Sequence, residues 1–221
     1  VSYLAAGAGP TAVCVHGVLL NAHLWDGVVA QVADLRRCVA IDLMGHGGTR
    51  SGPEQDLSPG AQAEMVAEAI TALGGGPVDL VGNDSGGAVC QILAARHPDL
   101  VRTLALTNCD VADAVMPDSM VAFVEACKAG RGLALFEAML DDLGVARAVF
   151  DQTLEAPATV PDEVLASFVG PLVDHEREEQ SIQRWMTAFT EHDLRAAEAV
   201  LPDLDIPALV LWGDDDVFFP L

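Results

Sequence analysis

The stretch Val78-Asp79-Leu80-Val81-Gly82-Asn83-Asp84-Ser85-Gly86-Gly87-Ala88 decides how the rest of the chain is read. A short, mostly apolar run enters a turn of glycine and small polar residues, and an Ala-rich, helix-like run follows. A sharp strand-to-helix turn exposes the residue at its apex, which suits a nucleophile. The backbone is crowded there, so the positions two before and two after the apex need small residues. With Asp84 at the apex those positions are Gly82 and Gly86, and Gly87 allows close helix packing. With Ser85 at the apex they become Asn83 and Gly87. The glycines favour the Asp84 register, and the Ser85 register stays open as the alternative. A phosphate-binding turn fits less well. The P-loop lysine is missing, and an aspartate at a helix N-terminus repels phosphate.

Working outward, five short apolar runs stand out: residues 12–15, 38–43, 78–81, 103–107 and 208–212. Each is followed within two residues by Gly, Asn or Asp. Runs of this length, rich in Val, Leu and Ile, suit strands buried on both faces of a parallel sheet. Between them, residues 60–73 place Ala63, Val66, Ala67, Ile70 and Leu73 on one helical face, and residues 86–96 read as a second helix stopped by Pro98. Alternating strand and helix patterns predict a doubly wound α/β sheet. The alternation breaks after residue 111. Helix-like pieces at 119–129, 133–140, 162–168 and 178–190 follow, divided by Gly130, Gly144, Pro157, Pro161 and Pro171. The expected organisation is therefore a first core part at 1–111, a helical cap at 112–202, and a second, incomplete core part at 203–221.

Composition narrows the class. The chain has 221 residues, 51% of them hydrophobic, which is enough for one sizeable globular core. No apolar run approaches the roughly 20 residues of a membrane helix. The start at Val1-Ser2-Tyr3 shows no secretory signal, and the missing initiator Met points to a trimmed N-terminus. A net charge of −22 disfavours nucleic acid, anionic membranes and anionic substrates. The five cysteines form no CxxC pair and read as reduced, buried thiols, so a cytoplasmic location is expected. Asp214, Asp215 and Asp216 lack His or Cys partners for zinc and are too short a run for a calcium loop, so neither a metal nor an organic cofactor is expected.

Four segments, in order, resemble the α/β-hydrolase superfamily across nearly the whole chain. His16-Gly17 after the first apolar run resembles the oxyanion loop, with Leu24-Trp25 following. Asp42-Leu43-Met44-Gly45-His46-Gly47 resembles the Asp-x-x-Gly-His-Gly turn. Gly82-Asn83-Asp84-Ser85-Gly86-Gly87 resembles the aspartate-nucleophile branch, which includes haloalkane dehalogenases and epoxide hydrolases. Trp212-Gly213-Asp214-Asp215-Asp216 resembles the acid loop. The resemblance implies an α/β-hydrolase fold: a mostly parallel sheet, helices on both faces and an inserted helical cap. It implies Asp84 as nucleophile, the backbone N–H groups of Val18 and Ser85 as oxyanion donors, and Asp216 as the acid that orients a histidine base, with Asp110 as a second candidate acid. An ionised carboxylate at the turn would attack an electrophilic carbon to form an ester, which activated water would then cleave.

The base falls after a further strand in this superfamily. None of the six histidines occupies that position, so it is expected beyond Leu221. His16 and His46 read as structural members of turns, His97 as a helix-end residue, and His23, His175 and His192 as loop or cap residues. Two departures narrow the reaction. Haloalkane dehalogenases hold halide with Asn and Trp where this chain has Val18 and Ser85. Epoxide hydrolases carry Pro where this chain has Leu19, and they use a cap Tyr, whereas the only tyrosine here is Tyr3. Without such an acid, epoxide opening loses a factor of about 10²–10⁴. The expected activity is hydrolysis of a small or medium, largely apolar substrate through Asp84. A Ser85 esterase or a non-hydrolytic binding protein on the same fold are the alternatives. Met116, Met120, Phe123, Met139, Phe168, Trp185, Met186 and Phe189 are the cap residues expected to line the pocket or fill the cap's own core.

Overall fold

The structure is a computed structural model that describes residues 1–115, 117, 120–154, 156–173 and 181–220. Six strands form one sheet: β1 Tyr3–Ala6, β2 Thr11–Val15, β3 Arg37–Ile41, β4 Val78–Asp84, β5 Val101–Cys109 and β6 Ala208–Leu211. Their spatial order is β1-β3-β2-β4-β5-β6, with β1 antiparallel to β3 and every other pair parallel. The reversal of strand order about β2 and β4 brings their C-terminal ends together. Ligands of open α/β sheets bind at such a place.

Strand alternation sorts the side chains into two layers. Val13, Val15, Val39, Ile41 and Leu80 are fully buried against α2 (Pro59–Ala72) and α3 (Ser85–Arg96), where they meet Val66, Ile70, Ile92 and Leu93. Cys14, Ala40 and Val81 face the other way, toward Ala22 and Trp25 of the short helical turn 22–25 and Val29 of α1 (Asp26–Val32). Helices therefore cover both faces. Each buried Val, Ile or Leu contributes about 1.5–3 kcal/mol relative to exposure. Local signals set the helix ends. Ser58 caps α2 by accepting the Ala61 N–H, with Pro59 in the first turn. Asp84 is itself the N-cap of α3.

Between β5 and β6 the chain forms α4 (Val121–Lys128), α5 (Leu133–Asp141), α6 (Leu143–Val149), α7 (Asp162–Val169), α8 (Ser181–Ala188) and α9 (His192–Glu198). This insert buries Phe136, Met139, Leu165, Ile182 and Trp185 completely. Phe123 and Phe136 meet edge to face at 5.4 Å, and Trp185 lies 4.8 Å from Phe189. α9 returns to the sheet and packs on α3 and α2. There Asp193 accepts the Gly60 N–H at 3.1 Å and pairs with Arg96.

Three expectations change. First, β6 is exposed along its whole length rather than buried on both faces: Leu209 is 60% exposed, and Val210 and Leu211 62% each. It is the outer strand and pairs only with β5 among the described residues. Second, the apolar run at 38–43 stops being strand at Ile41, because Asp42 opens a turn. Third, β1, α1, α6 and α9 had no counterpart in the sequence reading. Residues 119 and 178–180 of the expected helices, Met116 and His175 lie outside the described residues. No described helix is long and apolar enough to cross a membrane.

Candidate active site

Asp84 ends β4 with φ 54° and ψ −133°, a conformation that L-residues adopt only at some cost. The turn closes so tightly that its glycines cannot carry a side chain. A Cβ on Gly82 would lie 2.7 Å from Gly87 Cα and the Gly86 carbonyl oxygen. On Gly86 it would lie 2.3 Å from the His16 carbonyl oxygen, and on Gly87 2.3 Å from Cys109 Cβ. Gly82, Gly86 and Gly87 are thus all required by contact. The Ser85 register needs space at Asn83 instead, whose side chain reaches β5 and donates to the Thr107 carbonyl at 3.1 Å.

Asp84 Oδ1 accepts two backbone N–H groups, from Ser85 at 2.6 Å and from Val18 at 2.8 Å. Burial pushes the Asp84 carboxyl above its ordinary value. The two N–H groups pull it back, and the charge of Asp216 adds to the upward push. Ser85 is buried at the start of α3. Its hydroxyl makes no hydrogen bond of good geometry and lies near enough to Asp84 to favour that residue's charged form.

The loop carrying Val18 is built by two histidines. His16 holds its Nδ1 2.7 Å from the Gly17 carbonyl, while its Nε2 accepts the Leu43 N–H at 3.0 Å. That pattern requires the proton on Nδ1. Burial holds the ring neutral, pushing its pKa down to about 4. His46 Nε2 accepts the Leu19 N–H at 3.3 Å, and its ring meets the edge of Trp185 at 5.1 Å. Leu19 itself has φ 64°. Asp42 ties the same region together by accepting the N–H groups of Ala22 at 2.8 Å and Gly48 at 2.7 Å. His97 is the C-cap residue of α3 and contacts Glu64 at 2.8 Å, His23 contacts Asp26 at 2.9 Å in solvent, and His192 is exposed.

Asp216 lies in the loop after β6. Its Oδ1 accepts the N–H groups of Phe218 at 2.7 Å and Phe219 at 2.8 Å, and its Oδ2 accepts Asn108 Nδ2 at 2.5 Å. Asn108 Oδ1 accepts the Gly213 N–H at 3.0 Å, so one asparagine clasps both ends of the loop. Asp110 is buried just past β5, with its backbone carbonyl held by Gln91 Nε2 at 2.9 Å. Asp214 and Asp215 are exposed. The sequence reading assigned no role to Asn21, Asn83 or Asn108. The available signal was an asparagine directly after an apolar run or motif. No group of three or more His, Cys, Asp or Glu among the described residues is arranged to hold a metal ion. All five cysteines are unpaired and buried. Cys14 and Cys109 are pushed up to about 12 by burial, which makes them poor nucleophiles.

The fold and this arrangement define an α/β enzyme core with an acidic residue at a strand-to-helix elbow. Residues 10–221 match the family described as alpha/beta hydrolase fold, and the chain belongs to it. It is 31% identical over 228 residues to a pimeloyl-[acyl-carrier protein] methyl ester esterase of Chromobacterium violaceum, covering 97% of this chain and 79% of the esterase. It is 38% identical over 107 residues to a haloalkane dehalogenase of Mesorhizobium japonicum, covering 48% of this chain and 34% of that protein. A crystal structure of an alpha/beta hydrolase fold protein from Burkholderia ambifaria superposes with a TM-score of 0.83 at 22% identity, over 99% of this chain and 78% of the other. Against uncharacterised mycobacterial relatives, at 35% identity, the match spans 30% of their length.

Proposed function

We propose that this chain is the catalytic core of a hydrolase that attacks small or medium, largely apolar substrates through Asp84. The observation that carries this reading is the pairing of Asp84 Oδ1 with the N–H groups of Val18 and Ser85. That pairing fixes one carboxylate oxygen and leaves Oδ2 to attack. The substrate carbon–leaving-group bond breaks as the Oδ2–carbon bond forms, giving an ester of Asp84. Water then adds to the ester carbonyl carbon. The negative charge that develops on Oδ1 is already faced by two N–H donors, which stabilise it without reorganisation.

Asp216 is the orienting acid in this reading. Three of its roughly four acceptor positions are filled by Phe218, Phe219 and Asn108, and one is left for a base. His16 and His46 use their ring nitrogens on backbone groups, so we assign the base to neither. The insert of residues 112–202 serves as the cap, and the apolar side chains of the insert and of Val18 and Leu20 favour uncharged substrates. We place the protein in the cytoplasm on the basis of its five unpaired thiols.

A second reading, ester hydrolysis through Ser85, draws on the Chromobacterium relative that is described as an esterase. Against it stand the burial of the Ser85 hydroxyl and the use of its N–H by Asp84. Incubation with phenacyl bromide, a small apolar alkylating agent, separates the two, with the adduct mapped by peptide mass spectrometry. An ester on Asp84, absent in Asp84→Asn, is the expected result. An adduct on Ser85 overturns the aspartate reading.

A further inference from the structure

Ser167 sits near the C-terminal end of α7, where helical carbonyls lose their partners. Its carbonyl would ordinarily accept the N–H four residues on, but that residue is Pro171, which has none. The buried side chain of Asn21 supplies the missing donor: Nδ2 reaches the Ser167 carbonyl oxygen at 2.7 Å. The other end of the same amide faces its own loop, where Oδ1 accepts the His23 N–H at 3.0 Å and caps the short helical turn 22–25. Asn21 stands three residues after Val18. Between them lies Leu19, held at φ 64° with its N–H on His46. The loop also turns on itself through the Leu20 N–H to the Gly17 carbonyl, 3.4 Å.

We infer that Asn21 is a positioning residue that couples the seating of the helical insert to the aim of the Val18 N–H at the active site. The inference rests on the proposed role of Val18 as an oxyanion donor. The amide is bifunctional, held at both ends, so a shift of α7 is passed to the loop three residues from the donor. Among the described residues, the insert's other polar ties to the core reach elsewhere. Arg184 of α8 donates to the carbonyls of Gly52 and Gln55, and Asp193 of α9 accepts the Gly60 N–H and pairs with Arg96. Those bonds fasten the insert without touching the oxyanion loop. The strained backbone at Leu19 gives the loop a reason to relax once the tie is cut. A loop that relaxes moves the Val18 N–H away from Oδ1, and the carboxylate loses part of its orientation.

Two variants test this from opposite ends. Asn21→Asp keeps the size and the acceptor for the His23 N–H, removes the donor to Ser167 and sets a carboxylate oxygen against that carbonyl. Pro171→Ala leaves the oxyanion loop untouched and gives α7 its own donor for the Ser167 carbonyl. The measurement is the rate of Asp84 alkylation by phenacyl bromide, resolved into its saturating rate and half-saturating concentration, beside thermal melting. In Asn21→Asp the saturating rate, read well below the melting temperature that the buried carboxylate lowers, falls about tenfold with the half-saturating concentration held. Pro171→Ala gives a smaller loss of the same kind. Wild-type saturating rates in both variants overturn the inference. So does a rate loss in Asn21→Asp that follows a loss of fold stability while Pro171→Ala is unaffected. If Asn21→Asp does not fold, the rate of Pro171→Ala decides. An adduct on Ser85 in the wild type sinks the aspartate mechanism, whereas wild-type rates in both variants with the adduct on Asp84 sink the coupling alone.

Discussion

Asp84 Oδ1 lies 2.8 Å from the backbone nitrogen of Val18, a residue 66 positions earlier in the chain. The approach is possible because Gly17 has no side chain. A Cβ there would sit 2.4 Å from Asp84 Cβ and 2.5 Å from Oδ1 itself. Gly17→Ala therefore removes the Val18 donor, displaces Asp84, or both. Alkylation of Asp84 is expected to slow by about 10²-fold, the scale of displacing a reacting group by about 1 Å. The overpacked contact costs about 1–3 kcal/mol in stability. Labelling rate and urea unfolding measure the two effects, and a variant that labels at the wild-type rate would refute the proposed geometry.

The protonation of Asp84 sets a pH dependence. Its carboxyl is raised by burial and, in part, by Asp216. Only the ionised form attacks, so labelling rises with pH through a midpoint above 3.8, the ordinary aspartate value. Asp216→Asn removes the neighbouring charge and moves that midpoint down. A pH–rate profile of both proteins tests this.

The same shift has a stability consequence of opposite sign to the usual aspartate. A folded-state pKa above the unfolded value favours the fold when the group is protonated and weakens it as pH rises through the folded value. Asp84→Asn is therefore expected to be more stable than wild type near neutral pH. The gain shrinks as pH falls toward the unfolded value. Urea midpoints across that range would show it, and a destabilised Asp84→Asn at neutral pH would contradict it.

Asp79 behaves the other way. Hydrogen bonds from Arg102, then Arg36 and Thr103, hold its carboxyl down to about 2, against 3.8 ordinarily. Its contribution is present above the unfolded value and is lost as pH falls from 3.8 toward 2. Both arginines are more than a third exposed, which screens the effect. Asp79→Asn should cost about 1–2 kcal/mol at neutral pH and almost nothing at the acid end of that window. Denaturant midpoints at the two pH values provide the check.

Asn108 clasps the Asp216 loop at Gly213 and at the carboxylate. Asn108→Ala leaves both partners without their donor or acceptor. The loop should open more often, seen as faster hydrogen exchange at the Gly213 amide, with a global cost of about 1–2 kcal/mol.

Most of the sheet was legible because buried parallel strands need short apolar runs, and the chain supplies five. β1 escaped because Tyr3, Leu4, Ala5 and Ala6 form an exposed antiparallel edge whose short run lacks the Val and Ile of the buried strands. α1 escaped because it is only seven residues long and none of them is fully buried. The elbow was readable from its glycines, since their spacing follows from the backbone contacts they avoid. The braces around it were not. Asn21 is seen to matter only once Ser167, 146 residues away, is seen to lack a donor, and no local pattern encodes that distance.

The net charge of −22 has a consequence unrelated to chemistry. It makes each molecule repel its neighbours. Salt shortens the reach of that repulsion to about 8 Å at physiological strength. Colloidal behaviour in this chain is thus governed by ionic strength, with dilute buffer holding molecules apart and brine letting them meet.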